Sequence, residues 1–199
     1  MTTPVDLGPA ARQLTALLDG VTDEQFPAPT PCAGYTVGDL LDHVMGLTVA
    51  FRHAATKSAV PGQSRPAEVS ADHLHPDWRA RLPVQLDDLV TAWREPAAWQ
   101  GMAEAGGVRL PADVMGRVAL NELVLHSWDL ARGTGQNFES DPVSAQVCYE
   151  LVSAIAAEPE RPEGLFAAPV PVPADAPLLH RLLGLSGRDP AWAPATPTG

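Results

Sequence analysis

Basic residues are scarce in this sequence. Its 199 residues include 13 Lys and Arg against 24 Asp and Glu, a formal net charge of -11, and Lys57 is the only lysine. Nucleic-acid binding depends on clustered basic side chains that face phosphates. Helices that bind a membrane surface also carry a basic face. The composition therefore argues against nucleic acid and against a membrane as partners.

Cysteines and long apolar runs are equally few. Cys32 and Cys148 are the only cysteines and lack CxxC spacing, so we predict two free thiols and no disulfide framework. No run approaches the ~20 apolar residues of a membrane span. The first residues lack the basic start and apolar block of a secretory signal. We therefore expect a cytoplasmic protein, and the sequence leaves open whether it is a monomer or a homodimer.

Apolar residues make up 45% of the chain and recur at helical spacing in several long segments. The spacing predicts helices over about 8–19, 36–57, 77–95 and 111–132, and a further helix that Asp141 caps and Pro142 begins. Thr36 followed by Asp39 fits a capping box. Segments 58–76 and 96–110 are predicted as loops, the second with a tight turn at Gly106 and Gly107.

These elements predict an all-α fold, a four-helix bundle with long crossover loops and one extra helix. We place the bundle, with any site it holds, in residues 1–157. Residues 158–199 form a proline-rich C-terminal extension in which "LLHRLLGL" is predicted to be one short helix that packs on the bundle.

Three polar residues interrupt the apolar stripes of two predicted helices. Glu122 and His126 are four residues apart, so they lie on one helical face, and His43 can reach the same point from the facing helix. A buried carboxylate needs a partner. Two imidazoles and one carboxylate form a ligand set for zinc, iron or another divalent transition metal. A hydrogen-bonded structural pair without metal is the alternative.

The segments "TPCAGYTVGDLLDHV" and "NELVLHSWDLARGTGQ" resemble the DinB and mycothiol-dependent maleylpyruvate isomerase-like metal-binding superfamily. The ending "GLFAAPVPVPADAPLLHRLLGLSGRDPAW" resembles a subgroup of its small members, and the likeness covers roughly residues 5–192. It implies a DinB-like four-helix bundle that holds a metal through His43, Glu122 and His126. The DinB branch more often has histidine at the position of Glu122, so this chain follows the isomerase pattern. That branch has a further C-terminal domain, for which residues 158–199 are not an obvious substitute.

The resemblance also implies a function. The expected protein is a metal- and mycothiol-dependent S-transferase or isomerase for a small electrophilic substrate, with zinc as the first choice of metal and nickel or iron as alternatives. The metal would hold the thiol of mycothiol, or of a similar small thiol, as a thiolate. Two alternatives remain: a hydrolase that activates metal-bound water, with Asp129 as its base, and a non-catalytic metal- or ligand-binding stress protein.

Further candidates surround the predicted ligands. Asp129 and Asp39 are predicted to orient His126 and His43, because carboxylates commonly hold metal-bound histidines. A helix-surface or capping role is the alternative for both. The candidates for binding a substrate carboxylate or the thiol are three arginines, with solvated surface charge as the alternative: Arg52, Arg79 and Arg81.

Overall fold

The computed structural model describes residues 4–58, 68–158 and 167–194. Within these ranges it contains six helices: α1 Gly8–Leu18, α2 Val37–Thr56, α3 Trp78–Arg94, α4 Ala112–Thr134, α5 Pro142–Ala157 and α6 Leu178–Leu185. A two-stranded antiparallel sheet, β1 Met102–Ala105 and β2 Val108–Pro111, precedes α4. Short 3-10 turns cover Asp23–Gln25, Ala71–His73 and Pro96–Trp99. The predicted all-α, DinB-like class is confirmed as a mostly helical fold, to which the structure adds this small sheet.

The first four helices enclose the core. Helix α2 packs on α3 and α4, and α1 packs on the same two helices. Fully buried leucines from all four meet in the centre, among them Leu14, Leu40, Leu86 and Leu120. Their burial supplies most of the driving force for folding, because apolar surface leaves water.

The predicted loop over 96–110 is wrong in part. It contains the 3-10 turn Pro96–Trp99 and the hairpin β1–β2, which packs against α2 and α4. Each strand has four residues, too short for alternation to be recognised in the sequence. The predicted tight turn is present: Gly106 and Gly107 have φ of 59° and 80°, the left-handed pair that a two-residue hairpin turn requires.

The helix boundaries follow the predicted signals with small shifts. Helix α4 begins at Ala112, because Pro111 pairs with Met102 in the hairpin, and it continues to Thr134 before the left-handed Gly135. Residues 59–67 of the predicted 58–76 crossover lie outside the described ranges. The later part of the crossover contains the turn Ala71–His73, which packs on α2.

The C-terminal extension folds back onto the helices. Helix α6 packs on α5, and Arg132 of α4 donates hydrogen bonds to the backbone carbonyl of Trp192. Both cysteines are free thiols, with Cys148 buried and Cys32 partly buried. Among the described residues, no helix combines the length and the apolar character of a membrane span.

Candidate functional site

The loop before α2 sets the position of His43. Thr36 and Asp39 form the predicted capping box: the Asp39 carboxylate accepts hydrogen bonds from the Thr36 amide and hydroxyl, and the Asp39 amide donates to the Thr36 hydroxyl. This box begins the helix, so His43 lies in its second turn and faces α4. The edge of its ring contacts Tyr35, with 5.3 Å between the ring centroids.

Helix α4 presents the other two predicted ligands. The His126 Nε2 atom lies 2.9 Å from the Glu122 Oε2 atom, one helical turn away. The His43 and His126 rings stand nearly perpendicular, with centroids 5.0 Å apart. The sequence-predicted residues His43, Glu122 and His126 therefore meet at one point, although they come from two helices far apart in the chain.

Asp129 holds the other side of the His126 ring. Its Oδ2 atom lies 3.0 Å from the His126 Nδ1 atom, three residues along the same helix. The Asp129 side chain is fully buried, and Arg188 of the C-terminal extension binds both of its oxygens, at 2.8 Å through Nε and 2.7 Å through a terminal nitrogen. A bidentate guanidinium–carboxylate pair is both strong and directional. The extension therefore contributes directly to the arrangement of the site.

The charges of the site follow from these contacts. Burial lowers the pKa of His43 to about 4, and the nearby His126 adds to this, so His43 is a neutral imidazole. Burial alone would lower the pKa of His126, but its hydrogen bonds to Asp129 and Glu122 raise it to about 9. Burial opposes ionisation of Asp129, yet Arg188 and His126 hold the pKa of that carboxyl below its usual value.

The donor set fits a divalent metal. One ligand atom each from His43, Glu122 and His126 lies within 4.8 Å of the others, close enough to converge on one ion after small adjustments. Since Asp129 takes the Nδ1 atom of His126, the Nε2 atom is the one directed at Glu122. A carboxylate behind the ring is the usual arrangement around a metal-bound histidine.

A second group of potential ligands shares His126. Cys32, His126 and Asp129 also bring their ligand atoms within 4.8 Å of one another. Both Asp129 oxygens already bind Arg188, and burial raises the pKa of the Cys32 thiol to about 11. The set of His43, Glu122 and His126 is therefore the better candidate for a metal site.

The predicted ligands lie beside a cavity of about 900 Å³. Its walls come from the loop before α2, the faces of α2, α4 and α5, the hairpin, and residues 186–188 of the extension. Most of these walls are apolar, with Leu47, Phe51, Val118 and Ile155 among them. A pocket of this size and character, with a few polar groups grouped together, is typical of a small-molecule site.

The remaining predicted residues lie elsewhere. The described hydrogen bonds of Asp39 join it to Thr36 and to the Ala71 amide at 2.8 Å, which is the capping role. Arg52 pairs with Asp88 at 3.5 Å, and Arg79 pairs with Asp23 at 2.7 Å. Arg81 is exposed on α3. These three arginines are not among the described residues that line the cavity.

Sequence reasoning missed Arg188, Tyr35 and Cys32 as parts of the site. All three line the cavity. Tyr35 and Cys32 stand in the "TPCAGYT" loop just before the capping box, so their proximity to the second turn of α2 was a usable signal. Arg188 lies 59 residues after its partner Asp129, and no local pattern connects the two.

Comparison with known proteins places the chain in a family. The sequence profile described as "Mycothiol maleylpyruvate isomerase N-terminal domain" matches residues 7–131. The chain belongs to this family. The match ends shortly after Asp129, so it includes the three predicted metal ligands and excludes α5 and the extension.

Sequence relatives of similar length also exist. Two uncharacterized proteins of Mycobacterium tuberculosis, from strains CDC 1551 and H37Rv, are each 30% identical to this chain, and the alignment covers 87% of this chain and 90% of theirs. This family member therefore resembles whole proteins of about its own length.

The solved structures support the fold. The crystal structures of the mycothiol-dependent maleylpyruvate isomerase and of a mutant form match with a TM-score of 0.56 at 20% and 19% identity. Each match covers 73% of this chain and 66% of the isomerase chain. The chain thus spans slightly less than two thirds of that enzyme, with which it shares the DinB-like helical fold.

Proposed function

We propose that this protein is a metal- and thiol-dependent transferase or isomerase that joins a small thiol, mycothiol or a similar one, to a small electrophilic substrate. The observation that carries the proposal is the meeting of His43, Glu122 and His126 within 4.8 Å beside a cavity of about 900 Å³. The family supports the thiol, because its description and the names of the matched structures both include mycothiol.

The chain's own residues would bind and orient the metal. His43 is already neutral and can donate a lone pair, whereas the Nε2 atom of His126 must lose its proton to become a ligand. Asp129 keeps the His126 ring in place through its Nδ1 atom, and Arg188 keeps Asp129 in place. When bound, the metal would lower the pKa of a coordinated thiol and so supply a thiolate near neutral pH. Metal uptake should therefore release protons.

The cavity would then receive the electrophile. Its walls are largely apolar, and they would hold the carbon to be attacked near the thiol. The described residues that line it include Cys32 as the only cysteine, and its raised pKa of about 11 keeps this thiol protonated. The nucleophile is accordingly assigned to the small thiol and not to the protein.

The structure weakens the hydrolase alternative. That reaction requires a free base beside the metal, and Asp129 was the only candidate. Both of its oxygens accept hydrogen bonds from Arg188, and one of them also faces His126. A carboxylate engaged in this way positions a histidine and does not take a proton from water.

The finer assignments belong to the same proposal. We infer zinc as the metal, since two histidines and one glutamate are a common catalytic zinc set; nickel or iron would suit the same ligands. We also propose a cytoplasmic protein, monomeric or homodimeric, without nucleic-acid or membrane partners, and a division into residues 1–157 and 158–199.

The first experiment is metal analysis of the purified, untagged protein. We expect about one metal per chain in the wild type and strong loss in Glu122→Ala and in His126→Ala, because each removes one of three ligands. His180→Ala is the matched control, since this histidine is exposed on α6 and should leave the metal content unchanged. A wild type without metal after reconstitution with zinc, nickel and iron would mean that the cluster is a structural pair.

The second experiment tests the thiol. The metal-loaded protein should accelerate the reaction of mycothiol with 1-chloro-2,4-dinitrobenzene, and His43→Ala should abolish the acceleration. Turnover of ester or amide substrates that needs metal but ignores the thiol would favour the hydrolase. Bound metal without turnover of either class would favour a non-catalytic binding protein.

A further inference from the structure

The cavity walls next to the candidate ligands are apolar. Leu47 follows His43 by one turn of α2, and Val118 precedes Glu122 by one turn of α4, so each lies on the same helical face as a ligand. The hairpin adds Val108 and Leu110 to the cavity lining. A substrate beside the ligands therefore contacts hydrocarbon over most of its surface.

The charged groups of the cavity are paired with one another. Glu122 lies against His126 at 2.9 Å, and Arg188 forms its bidentate pair with Asp129. Among the described lining residues, Arg188 is the only arginine or lysine. Its charge is therefore balanced before any ligand enters. The formal charges of a divalent ion, the Glu122 carboxylate and a coordinated thiolate would likewise sum to zero.

We propose, on the basis of the function proposed above, that the electrophile is an uncharged, apolar molecule and that a carboxylate-bearing electrophile is disfavoured. Apolar surface that enters the cavity gains the free energy of leaving water. A carboxylate that enters loses its hydration and finds no unpaired cation among the described lining residues. By this inference the protein differs from an enzyme whose substrate is a dicarboxylate such as maleylpyruvate.

The thiol-transfer step balances in atoms and electrons, as its reaction with a chloroarene shows. The thiolate sulfur attacks the ring carbon that bears chlorine, the C–S bond forms, and the C–Cl bond breaks with its electron pair leaving as chloride. The thiol proton has already gone to solvent, so the products are a thioether, chloride and a proton. No oxidant or reductant is required.

A matched pair of substrates tests the inference. 1-Chloro-2,4-dinitrobenzene is neutral, whereas 4-chloro-3,5-dinitrobenzoate carries one carboxylate on a similarly activated ring. Each rate is divided by the uncatalysed rate with the same thiol, which removes differences in intrinsic reactivity. We expect the normalised kcat/KM for the neutral substrate to exceed that for the anion by at least about tenfold.

Two variants of one wall residue sharpen the test. In the metal-loaded protein, where the metal already takes up the charge of Glu122, Val118→Arg places a further cation on the cavity wall and should reduce the preference for the neutral substrate or reverse it. Val118→Met adds length without charge and should keep the wild-type preference. Val118 is only partly buried, which makes a longer side chain tolerable there. An unchanged preference in Val118→Arg would count against charge as the cause.

A binding measurement separates this inference from the proposed function. Calorimetric titration of the metal-free protein, and of the metal-loaded protein saturated with mycothiol, with the unreactive pair 1,3-dinitrobenzene and 3,5-dinitrobenzoate needs no turnover. Tighter binding of the neutral compound supports the inference, and equal or tighter binding of the anion overturns it. If neither chloroarene is accelerated with metal and mycothiol present, the thiol-transfer proposal fails, and the binding pair alone decides the nature of the cavity.

Discussion

Arg188 should stabilise the fold and the metal site together, because it neutralises a carboxylate that has no access to water. The Asp129 side chain is 0% exposed and that of Arg188 is 11% exposed. Removal of one partner from a buried ion pair typically costs about 3–5 kcal/mol, since the other charge stays buried without compensation. Arg188→Ala should therefore lower the free energy of unfolding by about 3 kcal/mol, which corresponds to roughly 6–12 °C in Tm for a chain of this size.

The same substitution should weaken the metal site without touching a ligand. Asp129 then loses its two strongest hydrogen bonds and holds His126 less firmly, and loss of such supporting contacts commonly reduces metal affinity by about 10–100-fold. Arg188→Lys keeps the charge but lacks the fork that contacts both oxygens, so it should fall between the wild type and Arg188→Ala. Urea denaturation of the metal-free protein and chelator competition for the metal measure the two effects separately.

A double-mutant cycle gives the decisive result. Asp129→Asn alone leaves Arg188 buried without its partner, whereas Asp129→Asn together with Arg188→Leu removes both charges. The double variant should cost less than the sum of the single variants by at least about 1 kcal/mol, because the two residues interact directly. Additive single effects, each below about 1 kcal/mol, would refute the argument that this pair supports the site.

Three further predictions concern the surroundings of the site. Asp39→Ala should destabilise the fold by about 1–2 kcal/mol, because it removes the capping box and the hydrogen bond from the Ala71 amide. Metal affinity, measured by chelator competition, should stay within about threefold of the wild-type value. A large loss of metal affinity would instead show that Asp39 supports His43. Arg52→Gln should leave KM for the thiol within about twofold, since Arg52 lies in an exposed ion pair; a tenfold rise would return it to the thiol site. When free metal is present at 100 times its Kd, removal of the metal should lower the free energy of unfolding by about 2.7 kcal/mol and so lower the Tm. An unchanged Tm would argue against a metal bound specifically to the folded state.

The three candidate ligands could be predicted because helical periodicity determines where they point. Glu122 and His126 follow from a spacing of four residues, and His43 follows from the apolar stripe of a helix whose start is marked by Thr36 and Asp39. Each of these inferences uses only local geometry and the cost of a buried charge. The meeting of two helices then requires only that both stripes face the same core.

The hairpin and Arg188 could not be predicted in the same way. Strands of four residues give too few alternations to stand out from a loop, and the Gly106–Gly107 turn indicates only that the chain reverses. Which of the 13 basic residues pairs with Asp129 depends on how the extension folds back over α4 and α5. That packing joins residues far apart in the chain, so no local pattern shows it. The three arginines favoured by the sequence lie near His43 or on the neighbouring helix, and proximity along the chain did not bring them into the cavity.

Asp129 takes part both in the local helical pattern around His126 and in the long-range packing of the extension. As a residue three positions after His126, it had two possible roles at a metal site, that of a base and that of a support for the histidine, besides a helix-surface or capping role. Arg188 decides between them, because a carboxylate whose oxygens both accept from a buried guanidinium has its pKa held low and is poorly suited to take a proton. The pairing also links docking of the extension to binding at His126. If a ligand binds His126 more tightly when Arg188 is in place, then that ligand must in return stabilise the docked extension by the same free energy. The proline-rich tail therefore acts as part of the site and not only as a cover for α5.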